Sequence, residues 1–270
     1  SVDVPMRDRM YQHEAPFNGN PTELFEVAYR YAGTMWSEEG FALVSEYWRA
    51  DRQVRTWKIY PDNSSMDAEL IFDRSTEDRY RDPGSPEMKR SQYGTWVLHT
   101  VDSGNTLLMT GTGATPEGNR PFLRKFNLET GETTELWRSE APYYEFIVTL
   151  LDDEGTQAIT RRESVSEQPN YFMKDIESGD LEQVTEFEHP TPQLRDVYKE
   201  FIQYEREDGV NLSATLYLPP GYDKDRDGPL PVLVWAYPRE FRSADAAGQV
   251  ADSPYRFAGM SYWGPHFALT

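Results

Sequence analysis

Few side chains in this sequence have the types and spacing that acid–base or metal chemistry needs. The four histidines are His13, His99, His189 and His266. None has a second histidine or a carboxylate at the spacing typical of metal ligands, so the sequence predicts no metal site. His99 falls inside a predicted strand, where we expect it to pack or to form hydrogen bonds. Because the chain has no cysteine, thiol catalysis, disulfides and cysteine-based zinc sites are excluded.

The motifs of nucleophilic catalysis and phosphate binding are also missing. A serine nucleophile elbow requires G-x-S-x-G on a strand–turn–helix, and no such pattern occurs. The stretch 111–118 is rich in glycine, but no Lys-Ser/Thr pair follows it and it lies between predicted strands. We therefore interpret it as a loop, and we expect the protein to need no cofactor.

Charge and hydropathy exclude two classes of partner. The net charge is −19 and the pI is about 4.6, so the phosphate backbone of a nucleic acid would be repelled. We interpret this acidity as a solubility feature. No stretch approaches the ~18 consecutive apolar residues of a transmembrane helix, so no membrane partner is expected. The absence of cysteine suits an exported protein, which favours a periplasmic or secreted location while the compartment stays open.

The elements that would position a site are predicted to be short strands. Aromatic residues make up 14% of the chain, and 18 glycines and 19 prolines indicate many turns rather than long helices. A unit of four strands recurs three times, about every 50–60 residues. Its predicted strands cover 29–36, 41–46, 55–60 and 68–72, then 96–101, 106–110, 121–128 and 134–137, then 146–150, 156–161, 171–176 and 181–185.

Four-stranded units at this period are typical of β-propeller blades. One twisted four-stranded sheet leaves its faces uncovered, whereas radially stacked neighbours cover them. We therefore predict a mostly β fold in which residues 1–190 form about three C-terminal blades of an incomplete propeller. An open β-sandwich is the alternative arrangement of the same strands.

The pattern changes near residue 190. Two prolines in three residues predict a stiff linker over 191–197, and residues 198–270 then form a second domain. This domain begins with a predicted hairpin of strands 200–206 and 211–218, joined at Asp208-Gly209. The apolar run 231–237 predicts a strand buried on both faces. One helical turn is predicted within 243–249.

Several segments resemble the prolyl oligopeptidase superfamily of serine peptidases. Residues 204–222, YEREDGVNLSATLYLPPGY, resemble the hairpin that opens the α/β-hydrolase domain of that family. Residues 235–250, WAYPREFRSADAAGQV, resemble its glutamyl endopeptidase branch, as do 82–86 and 111–119 in the propeller. The resemblance covers nearly the whole chain. It implies that the chain is an internal fragment, with propeller blades followed by the first strands of a truncated α/β-hydrolase domain.

The resemblance also implies an activity. A Ser-Asp-His triad would hydrolyse peptide bonds, with cleavage after Glu as one possibility and exopeptidase action as another. In this family all three triad residues would follow Thr270, so the chain alone is expected to be inactive. The implied partners are peptide substrates and the rest of the same polypeptide, with its further blades and the remainder of the hydrolase domain.

Four residues of this chain receive roles from the resemblance. Tyr237 ends the third hydrolase strand, where the family often places a hydroxyl that donates to the oxyanion; a tyrosine that only packs under a loop is the alternative. Arg239, Arg52 and Arg55 could bind a substrate carboxylate through their guanidinium groups, or could simply balance acidic neighbours. Glu38 and Glu39 are interpreted as solvated turn residues.

A second hypothesis requires no catalysis. The same strands could form a non-catalytic β-propeller that binds a partner, with a linker domain appended. This reading accounts for the missing triad without a longer parent. The two hypotheses differ in the length of the natural protein and in its reactivity toward a serine-directed reagent.

Overall fold

The structure, a computed structural model, describes residues 4–63, 65–236 and 239–270. Antiparallel strands make up most of its regular structure. The chain divides into two compact units, and each is described separately below. The first contains residues up to Arg81, Pro86–Leu108 and Lys125–Thr133, and the second contains Asp82–Ser85, Met109–Arg124 and Thr134–Thr270.

The first unit begins with a hairpin that sequence analysis did not predict. Strand β1 (Asp8–Gln12) pairs antiparallel with β2 (Thr22–Val27), with Asp8 opposite Val27. Val27 is buried and packs in a core with Ala42, Val44 and Ile59. The hairpin is therefore held by apolar burial against the sheet that follows it.

The first predicted four-stranded unit is confirmed. Strands β3 (Arg30–Trp36), β4 (Ala42–Trp48), β5 (Gln53–Ile59) and β6 (Glu69–Ser75) form one antiparallel sheet in chain order. The turn from β3 to β4 ends at Gly40, whose φ of 80° suits a residue without a Cβ. The first three residues of β4 are buried in succession, which identifies it as an inner strand covered on both faces.

The second repeat is confirmed as a sheet, with extra strands that were missed. The additional strands are β7 (Ser85–Pro86), β8 (Met88–Arg90) and β9 (Trp96–Leu98). The repeat itself comprises β10 (Thr100–Val101), β11 (Thr106–Gly111), β12 (Phe122–Asn127) and β13 (Thr133–Arg138), in that order across the sheet. The single predicted strand 96–101 is divided at His99, because β9 pairs with β8 while β10 pairs with β11.

The third repeat lies in the second unit and is also confirmed. Its strands are β14 (Tyr144–Leu150), β15 (Gln157–Glu163), β16 (Asn170–Asp175) and β17 (Leu181–Gln183). The turn after β16 is stabilised by the carboxylate of Asp175, which accepts from the Ser178 N–H at 2.8 Å. Ala158, Ile176 and Leu123 form the buried core beside this sheet. The three sheets are the propeller blades that the period predicted.

The hairpin of the second domain is confirmed almost residue for residue. Strands β18 (Tyr198–Glu205) and β19 (Asn211–Leu218) pair antiparallel, and Gly209 turns the chain with a φ of 83°. The short helix α1 (Lys224–Asp227) was not predicted, whereas α2 (Ala244–Ala247) confirms the predicted helical turn. The 3-10 helices are Asp102–Gly104, Pro192–Leu194 and Pro265–Leu269. The domain boundaries at 190 and 198 stay predictions.

One predicted strand is wrong. Residues 231–236 form no strand, and Val232 and Val234 are 86% and 79% exposed. A strand needs neighbours that accept and donate its main-chain hydrogen bonds, and the described residues of this unit provide none for this segment. The apolar, β-branched composition of 231–236 therefore indicates a preference for extended structure, but this segment pairs with no other strand among the described residues. The end of that prediction, Tyr237, lies outside the described residues.

Candidate functional site

The residue with the most specific predicted role, Tyr237, lies outside the described residues. Its described neighbour Arg239 is exposed. The chain then enters α2, where the Ser243 hydroxyl accepts from the Ala246 N–H at 3.1 Å. Ala246 and Val250 are buried, so the apolar side of this segment is anchored while Arg239 faces solvent.

Arg52 lies in the turn between β4 and β5, in the first unit. Its backbone is left-handed, with a φ of 56°, as the tight turn requires. Its Nε lies 3.3 Å from a carboxylate oxygen of Glu77, and its terminal nitrogen donates to the main-chain oxygen of Arg49. Hydrogen bonding to the Tyr47 side chain, and then to Glu77, raises the pKa of Arg52. The guanidinium of Arg52 is therefore already bound by Glu77 and by the main chain of Arg49.

Arg55 lies inside β5, in agreement with the predicted strand 55–60 that includes it. The turn is completed at Arg52, so pairing with β4 has resumed by Val54. Burial alone would lower the pKa of Arg55, but its hydrogen bond to Asp73 at 3.0 Å raises it. The guanidinium also lies 4.5 Å from the centre of the Tyr29 ring. Arg55 therefore serves contacts within its own sheet.

A buried carboxylate that sequence analysis missed explains this arrangement. Glu46 on β4 is 1% exposed and accepts from the Trp57 indole N–H at 2.9 Å and from the Tyr29 main-chain N–H at 2.5 Å. Arg55 lies 3.9 Å away as the nearest cation. A buried charge is costly unless it is hydrogen-bonded and paired, and Glu46 has both kinds of partner.

One of the two acidic residues in the turn after β3 forms a hydrogen bond with another element. Glu38 and Glu39 are exposed after β3, as expected of turn residues. Glu39 nevertheless accepts a hydrogen bond from the Thr100 hydroxyl at 2.6 Å. A Cβ on Gly104 would lie 2.5 Å from Cγ of Glu39, so glycine is needed for this close approach. The bond connects two sheets of the first unit.

The histidines form no metal centre. Within residues 4–63, 65–236 and 239–270, no group of three His, Cys, Asp or Glu side chains could hold a metal ion. His99 is buried at 4% exposure, as expected for a packed residue, although it lies between β9 and β10 rather than inside a strand. Burial lowers the pKa of His189, whose Nδ1 accepts from the Thr191 N–H at 3.1 Å. Burial likewise lowers the pKa of His266, whose ring contacts Tyr217 edge-on at 4.6 Å between centroids.

A polar cluster in the second unit was missed entirely. It surrounds residues 251–258, which we call the strap. From β18, the ammonium of Lys199 donates to the main-chain oxygens of Ser253 at 3.1 Å and Arg256 at 2.9 Å. Burial lowers the pKa of Lys199 to about 8, although the carboxylate of Asp252 acts in the opposite direction.

Blade residues hold the other side of the strap. Glu163, at the end of β15, is 3% exposed, and its Oε1 accepts from the Phe257 N–H at 3.2 Å. Arg161 lies 3.1 Å from its other carboxylate oxygen, and Arg256 lies 3.7 Å from Oε1. The Ala258 N–H donates to the main-chain oxygen of Val165 at 3.3 Å. The blade thus supplies both a charged and a main-chain anchor.

The loop between β11 and β12 provides a third anchor. The main-chain N–H of Asn119 donates to the oxygen of Asp252 at 2.9 Å, and its side-chain amide donates to the oxygen of Ala251 at 3.2 Å. Gly118 has a φ of 121°, and a Cβ there would lie 2.6 Å from Cδ of Pro254. Glycine is therefore required for the loop to approach the strap.

The contacts of this cluster indicate a structural role rather than a catalytic one. The polar groups of Lys199, Glu163 and Asn119 are directed at main-chain atoms of the strap. Burial raises the pKa of the neighbouring Tyr217 to about 12, which keeps that phenol neutral at ordinary pH. No local sequence signal could have revealed the cluster, because its members are up to 132 positions apart in sequence.

The fold defines a class of protein. Four-stranded antiparallel blades followed by the β18–β19 hairpin are the architecture predicted for a propeller joined to an α/β-hydrolase peptidase domain. The chain is 46% identical, over 278 residues and 98% of its length, to "Probable glutamyl endopeptidase, chloroplastic" from Oryza sativa subsp. japonica. It is 43% identical, over 96% of its length, to the protein of the same name from Arabidopsis thaliana. The chain is a relative of these proteins, which confirms its resemblance to glutamyl endopeptidases.

The match covers only part of each relative. The chain spans 30% of the rice protein and 28% of the Arabidopsis protein. Among solved structures, oligopeptidase B from Leishmania major aligns with 82% of this chain and 36% of its own, at 9% identity and a TM-score of 0.47. No protein-family model matches the chain.

Two findings bear on location. Both curated relatives are named as chloroplastic, so the preference for a periplasmic or secreted location finds no support in them. None of the helices in the described part of the chain has the length and apolar character needed to cross a bilayer.

Proposed function

We propose that this chain is part of a serine-type peptidase that hydrolyses peptide bonds, with a preference for cleavage after Glu. The observation that carries the proposal is the 46% identity, over 98% of the chain, to a protein named as a glutamyl endopeptidase. Identity of this extent includes both the blades and the hairpin segment. Peptides are accordingly the proposed substrates.

Within this proposal, the catalytic triad comes from polypeptide outside the chain. The sequence contains no G-x-S-x-G elbow, and the chain spans 30% of the rice relative. We expect the 270-residue chain alone to be inactive. The boundary between the blades (1–190) and the hydrolase part (198–270) is likewise part of the proposal.

Two residues of this chain are proposed to contact the substrate. Tyr237 would donate its hydroxyl to the oxyanion formed when the serine attacks the carbonyl. Arg239, two positions later and exposed, would bind the carboxylate of a substrate Glu through its planar guanidinium. Arg52 and Arg55 were weaker candidates for the same role, and their contacts with Glu77 and Asp73 provide each with a carboxylate partner in the first unit.

The test uses the full open reading frame that contains this segment. The purified protein is assayed with chromogenic peptides ending in Glu, Pro, Ala or Lys, with and without a serine-directed fluorophosphonate. Inhibitable cleavage after Glu is expected. Tyr237→Phe should lower kcat on the order of a hundredfold, because one oxyanion donor is lost. Tyr93→Phe is the matched control, since that tyrosine is 83% exposed.

Arg239 is tested in the same assay. Arg239→Met should weaken cleavage after Glu far more than cleavage after Ala, because only the Glu side chain requires a cation. A soluble, folded full-length protein with neither labelling nor cleavage would overturn the proposal. The non-catalytic propeller that binds a partner would then be the better description.

A further inference from the structure

The strap is held from three directions by elements distant in sequence. Lys199 reaches it from the hairpin, Glu163 from the third blade and Asn119 from the β11–β12 loop. The contacts of Lys199 and Asn119 end on main-chain atoms of the strap, so they fix its path rather than its side chains. Side-chain-to-main-chain bonds of this kind act as substitutes for the ladder of a regular element.

The segment before the strap depends on it for its own position. Residues 239–250 contain only the single helical turn α2, which is too short to be stable by itself. Val250 is 2% exposed and joins this segment directly to the strap. At the other side, a Cβ on Gly248 would lie 3.1 Å from the main-chain oxygen of Asn211, so the helix end lies tightly against β19.

From this geometry we propose that Lys199 and Glu163 are positioning residues of the proposed peptidase site. They fix the strap and, through it, the segment 239–250 that carries Arg239. The link to substrate binding rests on the proposed function, whereas the anchoring of the strap does not. Neither residue is proposed to touch the substrate.

Lys199 has the strongest positional effect because one side chain holds two carbonyls. Ser253 and Arg256 are three residues apart, and both carbonyl oxygens lie within 3.1 Å of the same ammonium. A methionine at this position would keep the apolar stem and remove both donors. Each carbonyl would then lose a partner that is charged, and bonds to charged groups are the stronger ones.

Glu163 holds the strap through a different atom pair. Its carboxylate accepts from the Phe257 N–H and lies beside the guanidinium groups of Arg161 and Arg256. Glutamine has nearly the same shape and keeps an oxygen for the Phe257 N–H. Glu163→Gln therefore removes the charge while leaving the main-chain acceptor, and its effect should be smaller than that of Lys199→Met.

The first experiment is hydrogen exchange, followed by mass spectrometry, on the full-length protein. In Lys199→Met, amides of peptides covering 239–258 should exchange about tenfold faster than in the wild type, as expected for the loss of two charge-assisted bonds. Exchange in β15 and β16 should be unchanged, which shows that the blade is still folded. Lys199→Arg retains donors and should partly restore protection. Lys224→Met is the control, because that lysine is exposed on α1.

Unchanged exchange over 239–258 in both Lys199→Met and Glu163→Gln would overturn the proposal. If Lys199→Met does not fold, Glu163→Met decides alone, since it keeps the length of the side chain and removes the acceptor of the Phe257 N–H. Loss of protection throughout the blade in Glu163→Gln, equal to the loss in the strap, would also count against it, because the residue would then be a general stabiliser.

A kinetic experiment tests the connection to the site. For peptides ending in Glu, Lys199→Met should raise KM about tenfold while the fraction of enzyme labelled by fluorophosphonate stays constant. An enzyme that is merely less stable would lose labelled fraction and keep its KM. If even the wild type shows no peptidase activity, the proposed function fails, and the exchange result still decides whether these residues anchor the strap.

Discussion

The carboxylate of Glu163 accepts a hydrogen bond from the main-chain N–H of Phe257 at 3.2 Å, although 94 positions separate the two residues. One partner ends a blade strand and the other belongs to the segment that follows α2. Because Glu163 is buried, this bond is shielded from water and from salt. The relationship shows how the third blade and the strap are joined within the second unit.

The titration of Lys199 predicts a pH dependence of stability. Its pKa is about 8 in the folded protein and 10.5 ordinarily, so between these values the unfolded chain holds a proton that the folded chain has released. Unfolding then takes up a proton, and the free energy of unfolding should rise with pH from about 8 toward 10.5. The charged groups facing Lys199 are Asp252, Arg256 and Glu163.

Urea denaturation between pH 7.5 and 9.5 measures this effect. Lys199→Met should remove the contribution of Lys199 to the slope, whereas Lys224→Met should keep it. The window stops below pH 10 because Tyr217 has a raised pKa of about 12, which makes stability fall above pH 10. An identical slope in wild type and Lys199→Met would contradict the buried position of this ammonium. The neutral amine keeps two hydrogens, so both strap bonds survive deprotonation.

A buried ion pair within the third blade predicts a large mutational effect. Lys174 and Glu145 are each 5% exposed, with Nζ 3.4 Å from the carboxylate, and Nζ lies 5.2 Å from the centre of the Trp137 ring. Lys174→Met should lower the free energy of unfolding by about 3–5 kcal/mol, because it leaves a buried carboxylate unpaired. Urea unfolding, followed by the total tryptophan fluorescence, provides the measurement.

The control is an ion pair of the same kind in solvent. Arg206 and Asp208 lie 2.6 Å apart but are more than half exposed, so Arg206→Met should lower the free energy of unfolding far less than Lys174→Met does. The double change Lys174→Met with Glu145→Leu should recover most of the lost stability, since it leaves no buried charge without a partner and the two apolar side chains can pack together. Equal costs for Lys174→Met and Arg206→Met would refute the argument from burial.

Two glycines allow the energetic cost of backbone strain to be distinguished from the cost of a steric clash. Gly113 and Gly131 both have left-handed backbones, with φ of 59° and 72°. A Cβ on Gly113 would lie 2.0 Å from the main-chain oxygen of Arg120, whereas a Cβ on Gly131 would meet nothing within 4 Å. Gly131→Ala should therefore cost only the strain, about 1 kcal/mol. Gly113→Ala should cost about 3 kcal/mol, because a clash is added.

Thermal or urea unfolding of both variants decides this comparison. Gly113 lies in the loop that carries Asn119, so Gly113→Ala should also increase hydrogen exchange in the strap. Gly131→Ala should leave the strap unchanged. If both variants lose the same stability, the close approach of the loop backbone is not what requires glycine at 113.

Local sequence determined the blades, because strand alternation and turn chemistry act over a few residues. The predicted repeats match β3–β6, the β10–β13 sheet and β14–β17, and the Asp208-Gly209 turn lies where its dihedral preference requires. The same local logic failed at 231–236. An apolar run there was interpreted as a buried strand, but a strand also depends on partners that its own composition does not specify.

Only the tertiary structure decided which polar residues act together. Asn119, Glu163 and Lys199 stand in separate elements, and nothing in their local sequence distinguishes them from other polar residues of an acidic chain. Their roles arise from burial against the strap. A buried polar group that loses its hydrogen-bond partner cannot replace it with water, so the loss costs more free energy than it would at the surface. Turns and strands are short-range properties that a sequence displays, whereas a shared buried site exists only once distant segments have packed.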